Sequence, residues 1–245
     1  MKDSSRETMT VLVLTRNEAE NLTTLVCGTE RILTKEDVDY SVLIVDAGSS
    51  DGSPDIAQRL GARVIQQSKP GYANALREGL AASSGDLVLT IDADLSHQPD
   101  FILDLLAKRR DAEIVIASRY VDGGSGEMSP TRRILSLALN RTFARVLGLE
   151  IADLSSGFRL YRREAIASLD PRGEHFDILP EIVVLAHRAG LRILEVPFHY
   201  HPREAGVSKA RALRFAPSYL QTLARCRRHA TGHSQDQNGR PSDLP

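Results

Sequence analysis

The chain is expected to be an α/β protein: a mostly parallel central sheet with helices on both faces. Three observations lead there. Apolar runs of strand length alternate with helical stretches through the first half, the pattern of a sheet buried on both sides. Two of those runs, SVLIVD and DLVLTID, end on an acidic residue, Asp46 and Asp92, and ligands of open α/β sheets bind beyond the carboxyl ends of strands. No GxGxxG follows the first run, which disfavours a dinucleotide-binding dehydrogenase.

Taken in order, residues 9–14 are an apolar run followed by a helical stretch at 18–33. A buried strand at 41–46 leads through the turn AGSSDGSP, where Gly48 and Gly52 suit a tight reversal, into a helix at 54–60. A strand at 62–66, a helix at 71–82, a strand at 86–92, a helix at 99–109 and a strand at 112–118 complete the regular half. The second half is less regular. It holds a long amphipathic helix at 129–147, a strand-like FRLY, helices at 163–168 and 179–189, and a strand at 191–196. A basic, partly apolar helix is expected at 209–228, interrupted at Pro217. The expected organisation is a polar tail at 1–8, one domain at 9–229 and a disordered tail at 230–245, where GHSQDQNGRPSDLP is rich in turn formers.

Composition narrows the function class. The chain has 245 residues, 42% hydrophobic and 26% charged, enough to bury a sizeable core. A net charge of −1 gives no global pull toward nucleic acid, and none is expected as a partner. Cys27 and Cys226 lie far apart and match no disulfide framework or metal-ligand spacing, so a reducing cytoplasm is the simplest location. The N-terminus MKDSSRETMT carries no apolar h-region, so no signal peptide is expected. No apolar run approaches the ~20 residues that span a bilayer.

The main chemical signal is Asp92-Ala93-Asp94, two carboxylates at i, i+2 where a buried strand opens into a loop. Mg2+ takes one or two protein carboxylates and completes its shell with phosphate oxygens and water. Such a pair therefore suits a nucleoside diphosphate whose phosphates share the ion. By itself DxD is often only a solvated loop; its place at a strand end raises its weight.

Thr15-Arg16-Asn17-Glu18, Asp46-Ala47-Gly48-Ser49-Ser50-Asp51-Gly52 and Asp92-Ala93-Asp94-Leu95-Ser96-His97 each follow a predicted strand. In order and spacing they resemble the inverting glycosyltransferase family 2, of GT-A nucleotide-diphosphosugar transferase fold. Ala117-Ser118-Arg119-Tyr120, Ser156-Gly157-Phe158-Arg159-Leu160-Tyr161-Arg162 and Arg203 with Ser208-Lys209 resemble its dolichyl-phosphate (polyprenol-phosphate) mannosyltransferase branch. The resemblance spans roughly residues 9–215. It implies a nucleotide-sugar site built from Leu14, Arg16, Glu18, Val45, Asp46, Asp92, Ala93, Arg119, Arg203 and Lys209. It implies Mg2+ or Mn2+ on Asp92, Asp94 and Ser96, the acceptor phosphate near Arg132, and catalytic roles for Asp94, Arg119 and Asp153, the last as an orienting group or base. Lys69 to Asn74, KPGYAN, would help to close the nucleotide pocket. Leu14 and Arg16 depart from the family's Pro-Thr-Tyr-Asn-Glu, and Ala47 replaces a second aspartate that would touch the base. His97 reads as a polar residue leading a helix.

The implied reaction is transfer of a hexose, mannose from a GDP-sugar, onto a polyprenyl phosphate. A UDP-sugar donor or a soluble acceptor is the rival within the class, and a non-catalytic nucleotide-sugar-binding protein the rival outside it. The helices at 129–147 and 209–228 carry arginines beside apolar residues and could lie in a membrane interface or pack on the sheet. A lipid acceptor would require peripheral contact on the cytoplasmic face or a membrane-anchoring partner protein. His199 and His201 alternate along an extended segment. A two-His metal site there lacks an evident third ligand, so a surface role is the expectation.

Overall fold

A computed structural model describes residues 6–201 and 216–232. The first half winds as expected: β1 (Glu7–Thr15), α1 (Ala19–Leu33), β2 (Val38–Asp46), α2 (Ser53–Arg59), β3 (Arg63–Gln66), α3 (Tyr72–Ala82) and β4 (Leu87–Asp92). A short 3-10 turn, Pro99–Phe101, precedes α4 (Ile102–Ala107) and β5 (Ile114–Ser118). Then come β6 (Ser125–Gly126), α5 (Pro130–Leu147), β7 (Arg159–Arg162), α6 (Arg163–Ala167), α7 (Ile178–Arg188), β8 (Ile193–Pro197), β9 (His199–Tyr200) and α8 (Ala216–Gly232).

Seven strands form one sheet in the order β3-β2-β1-β4-β7-β5-β8, and β6 pairs with β9 in a small second sheet. Only β7 runs antiparallel to its neighbours, β4 and β5, within the main sheet. Period-2 alternation assigns the two faces. Val11, Val13, Ile44, Leu89 and Ile91 pack toward α1, α2 and α4, while Leu12, Leu43, Val45 and Val88 pack toward α3, α5 and α7. The chain steps outward from β1 to β2 and β3, then returns to place β4 on the other side of β1. A crevice opens at the carboxyl ends of strands at such a reversal. Leu14 pairs with Asp92 and Thr15 with Asp46 there.

Several boundaries differ from the sequence expectation because tertiary partners set them. β1 begins at Glu7, inside the expected polar tail: Thr8 N donates to Asp86 Oδ2 at 3.0 Å, and Glu7 meets Arg109 and Arg162. The helix expected at 99–109 is shortened by the 3-10 turn that Pro99 opens. Pro217 does not interrupt α8 but sits in its first turn, where its missing N–H costs nothing. That helix continues to Gly232, past the expected domain end. Residues 209–215 of the expected basic helix and 233–245 of the expected tail lie outside the described residues.

α8 packs on α5 and α7. Tyr219 meets Phe143 edge-on, Thr222 Oγ1 donates to Asp177 Oδ2 at 2.6 Å, and Arg225 Nε donates to Glu181 Oε1 at 2.9 Å. Its inward face is thus covered by protein. Both helices also expose apolar residues: Leu220 on α8, and on α5 Ile134 at 67% with Leu135 and Val146, although Phe143 is buried.

A tight backbone approach lies just before β4. A Cβ on Gly85 would stand 2.6 Å from Thr10 N and 2.7 Å from Met9 Cα, contacts that no rotamer change can relieve. Gly85→Ala is expected to lower the unfolding free energy by about 2 kcal/mol, as overpacking does. Urea denaturation reads this, and an unchanged midpoint would contradict the packing.

Candidate active site

At the carboxyl ends of β1, β2 and β4 lies a cleft of about 320 Å³. Leu14, Arg16 and Glu18 line one side, Asp92, Ala93 and Asp94 the floor, and Gly71, Tyr72 and Phe176 the other side. The structure thus brings together five residues that the sequence proposed for the nucleotide sugar, Leu14, Arg16, Glu18, Asp92 and Ala93, with Asp94, proposed for the metal. Ala47, at the position where a second aspartate would touch the base, also faces the cleft.

Hydrogen bonds knit the loops after β1 and β2 into one wall. Asn17 N donates to Ser49 Oγ at 2.8 Å, Ser50 N to Asn17 Oδ1 at 2.8 Å, and Glu18 N to Ser53 Oγ at 3.0 Å. Asn21 Nδ2 donates to Glu18 Oε2 at 2.9 Å, holding that carboxylate at the rim. Asn17 adopts φ 55°, the left-handed region that asparagine tolerates.

Asp46 and Val45, proposed for the nucleotide sugar, are not among the residues that line the cleft. Asp46 is buried, and its carboxylate accepts from Gly48 N at 3.0 Å, Ser49 N at 2.9 Å, the Ser49 hydroxyl and Thr15 Oγ1. It folds the turn after β2 from inside and does not line the cleft. Val45 points into the core.

The Asp92-Ala93-Asp94 loop is held from beneath. The Asp92 side chain is 41% exposed, whereas Asp94 is buried at 5%. Ser96 donates to Asp94 Oδ1 through its N–H at 3.1 Å and through its hydroxyl. Ser96, proposed as a third metal ligand, is itself buried and is bonded to Asp94. Between them Leu95 takes φ 58°, and strain of this kind is kept where surrounding contacts over-determine the backbone.

His97 does not lead a helix on the surface. It is buried and stacks on Phe158 at 4.9 Å, with Phe198 and Tyr200 meeting it edge-on. Its Nδ1 accepts from Asp92 N at 3.2 Å. Burial, the largest cause, pushes the imidazole pKa down and outweighs the pull of Asp92 and Asp94. A neutral ring with an accepting Nδ1 is what the Asp92 N–H requires. Gly157 permits a close approach from the other side: a Cβ there would meet the Tyr72 hydroxyl at 3.1 Å and Asp92 Oδ1 at 3.6 Å.

At the end of β5, Arg119 grips Asp153 side-on, Nε to Oδ2 at 2.7 Å and a terminal nitrogen to Oδ1 at 2.8 Å. Arg119 N and Ser155 Oγ donate to the same carboxylate, and Glu195 accepts from Asp153 N at 2.8 Å. Asp153 is 0% exposed. Where the sequence suggested an orienting group or base, the structure places a sealed carboxylate that is ion-paired to Arg119. Arg119 also lies over the rings of Tyr120 and Tyr200. Arg132 falls on α5, but its side chain lies outside the described residues, as do Arg203 and Lys209 entirely.

Tyr72 and Phe176 were not singled out from the sequence, apart from Tyr72 within KPGYAN. Their rings stack at 4.4 Å beside Asp92 and form a flat aromatic wall. Burial, followed by the charge of Asp92, raises the Tyr72 pKa, so its hydroxyl stays protonated. Phe176 enters from a loop far along the chain, anchored where Arg77 Nε donates to Pro171 O at 2.9 Å. No periodicity marks such a residue.

The donor set of the floor, two carboxylates at i, i+2, is hard oxygen of the kind that Mg2+ and Mn2+ prefer. Residues 10–169 match the model of the Glycosyl transferase family 2. Glycosyltransferase AglJ of Haloferax volcanii is 30% identical over 80% of this chain and 64% of its own length. The dolichol-phosphate mannosyltransferase of Pyrococcus furiosus is 32% identical over 82% of this chain and 58% of its own. The chain thus spans about three fifths of the length of these relatives. Glucosyl-3-phosphoglycerate synthase from Mycobacterium tuberculosis shares the fold. Its complex with Mn2+, uridine diphosphate and glucosyl-3-phosphoglycerate superimposes with TM-score 0.71 at 23% identity, covering 90% of this chain and 80% of that one. Its complex with Mg2+ and uridine diphosphate gives 0.69 at 24%, covering 90% and 79%. With its mostly parallel sheet reversing at β1 and β4, and its paired aspartates at that reversal, the chain belongs to glycosyl transferase family 2.

Proposed function

We propose that this protein is an inverting glycosyltransferase that moves a hexose, mannose from GDP-mannose, onto a polyprenyl phosphate. The observation that carries the proposal is the placing of Asp92 and Asp94 on the floor of the β1–β4 cleft, beside Glu18 and the Tyr72–Phe176 wall. Mg2+ or Mn2+ bound by Asp92 and Asp94 would neutralise charge on the departing diphosphate. Glu18 and Arg16 face the nucleoside end of the cleft, and the aromatic wall offers a flat surface to a ring. Arg119, expected at the nucleotide sugar, is bound to Asp153 and Ser155 and is not among the residues that line the cleft.

The state of Asp153 favours a phosphate acceptor. A hydroxyl acceptor needs a base to remove its proton. A phosphate oxygen is already anionic at neutral pH and attacks the anomeric carbon without one. The P. furiosus relative, a dolichol-phosphate mannosyltransferase, supports the same choice. No helix among the described residues is long and apolar enough to cross a membrane. The exposed Ile134 and Leu135 beside Arg133 in the first turns of α5 support lipid contact at the surface, on the cytoplasmic side, with an anchoring partner protein as the other route. The rival, a UDP-sugar and a soluble acceptor, is favoured by the fold neighbour's complexes with uridine diphosphate and by Ala47, which gives a guanine amine no carboxylate.

With Mg2+ present, GDP-mannose and a short polyprenyl phosphate should yield polyprenyl-phosphate mannose, detected by mass spectrometry. Turnover of a UDP-hexose alone would overturn the donor, and turnover of water-soluble acceptors alone would overturn the lipid.

Asp153 also predicts a pH dependence. Burial raises its pKa, but the Arg119 charge and the hydrogen bonds from Arg119 and Ser155 outweigh this and leave it below the ordinary carboxylate value. Its contribution is therefore complete above about pH 4 and is lost as pH falls through the depressed folded value. Asp153→Asn should cost about 3 kcal/mol at neutral pH, because Arg119 loses its buried partner. That gap should narrow in strong acid. Urea denaturation at the two pH values measures it, and a gap independent of pH would contradict the ion pair.

A further inference from the structure

We propose a second metal site, for a zinc-class divalent cation, on Glu127, His199 and His201. β6 and β9 pair in parallel, with Ser125 opposite His199 and Gly126 opposite Tyr200. This pairing brings Glu127, just past β6, beside His199 in β9 and His201 just past it. It supplies the third ligand that the sequence alone could not.

The geometry meets the demands of such an ion. One ligand atom from each of the three residues lies within 4.8 Å of the other two, and these form the one His/Cys/Asp/Glu cluster of that kind among the described residues. His199 Nε2 stands 3.4 Å from Glu127 Oε1. A tetrahedral ion with bonds of ~2.1 Å needs its ligand atoms about 3.4 Å apart. The His199 and His201 rings meet edge-on at 4.6 Å, close enough for modest rotation to converge both on one centre. Glu127 and His199 are exposed, so that adjustment is sterically open.

The surroundings supply the outer contact that metal-bound histidines use. The Ser125 hydroxyl hydrogen-bonds His199 Nδ1. With Nε2 on the ion, the ring's single proton resides on Nδ1 and is donated to Ser125 Oγ, so the neutral imidazole binds without net proton loss. Two imidazoles and one carboxylate select zinc-class ions over Mg2+, which prefers oxygen throughout. The site is separate from the Asp92-Asp94 floor but mechanically adjoins it: His201 N donates to Ser96 O at 3.4 Å, and Ser96 holds Asp94. A bound ion would staple β6 to β9 and brace the loop that carries Asp94.

Cobalt(II) is the probe, because a site with imidazole ligands gives visible d–d absorption that Zn2+ abolishes on displacement. Titrating the full chain should give such a spectrum with one ion per chain. It should persist in an Asp92→Asn, Asp94→Asn double variant. His199→Ala and Glu127→Gln, each at an exposed side chain, should weaken binding on the order of tenfold or more while circular dichroism stays native. Cobalt binding that these two variants leave unchanged, or that the double variant abolishes, would overturn the proposal.

Discussion

The reversal of strand order between β1 and β4 is the constraint on which the rest of the molecule depends. Because β2 and β3 build outward on one side of β1 and β4 lands on the other, the loops after β1 and β4 diverge and leave a crevice. The register then places Asp92 beside Leu14. Each feature of the cleft follows as a way of using that gap. The loop after β2 folds back around the Asp46 carboxylate and braces Asn17 and Glu18, while the loop after β4 turns sharply at Leu95 and presents Asp92 and Asp94.

Beneath the floor, several buried polar groups do positional work. A buried polar atom without a partner is costly, and here the partners are specific. Ser96 answers Asp94, His97 answers the Asp92 amide, and Arg119 answers Asp153. His97 shows why the type of side chain matters. A charged imidazole has no accepting nitrogen, and burial among Phe158, Phe198 and Tyr200 keeps it neutral. The same aromatic group continues through Tyr200 to Arg119, so the two charged parts of the site share one apolar support.

Much of this was legible in the sequence, where a residue's role follows from its position on a strand. Apolar runs ending at Asp46 and Asp92 located the crevice, and the i, i+2 spacing of Asp92 and Asp94 located its floor. What sequence could not resolve was the direction of a side chain at a loop. Asp46 and Glu18 look alike as acids after strands, yet one is consumed inside its own turn and the other faces the cleft. Asp153 resembles a base until Arg119 is seen across it. Phe176 and Glu127 act through neighbours distant in sequence, brought near by the α3–loop contact and by the β6–β9 pairing. For α8, basic and amphipathic character left a membrane face and packing on protein both open; Tyr219, Thr222 and Arg225 pack inward while Leu220 stands exposed.

Central to the proposed reaction is the grip of Asp92 and Asp94 on a nucleoside diphosphate through a divalent ion. Calorimetric titration of GDP and of UDP, with and without Mn2+, tests it most directly on the native chain and on Asp94→Asn. At least one of the two nucleotides should bind with Mn2+ and lose on the order of tenfold or more in affinity when either the ion or the carboxylate is removed. Equal affinity with and without Mn2+, or in the native chain and the variant, would contradict the claim.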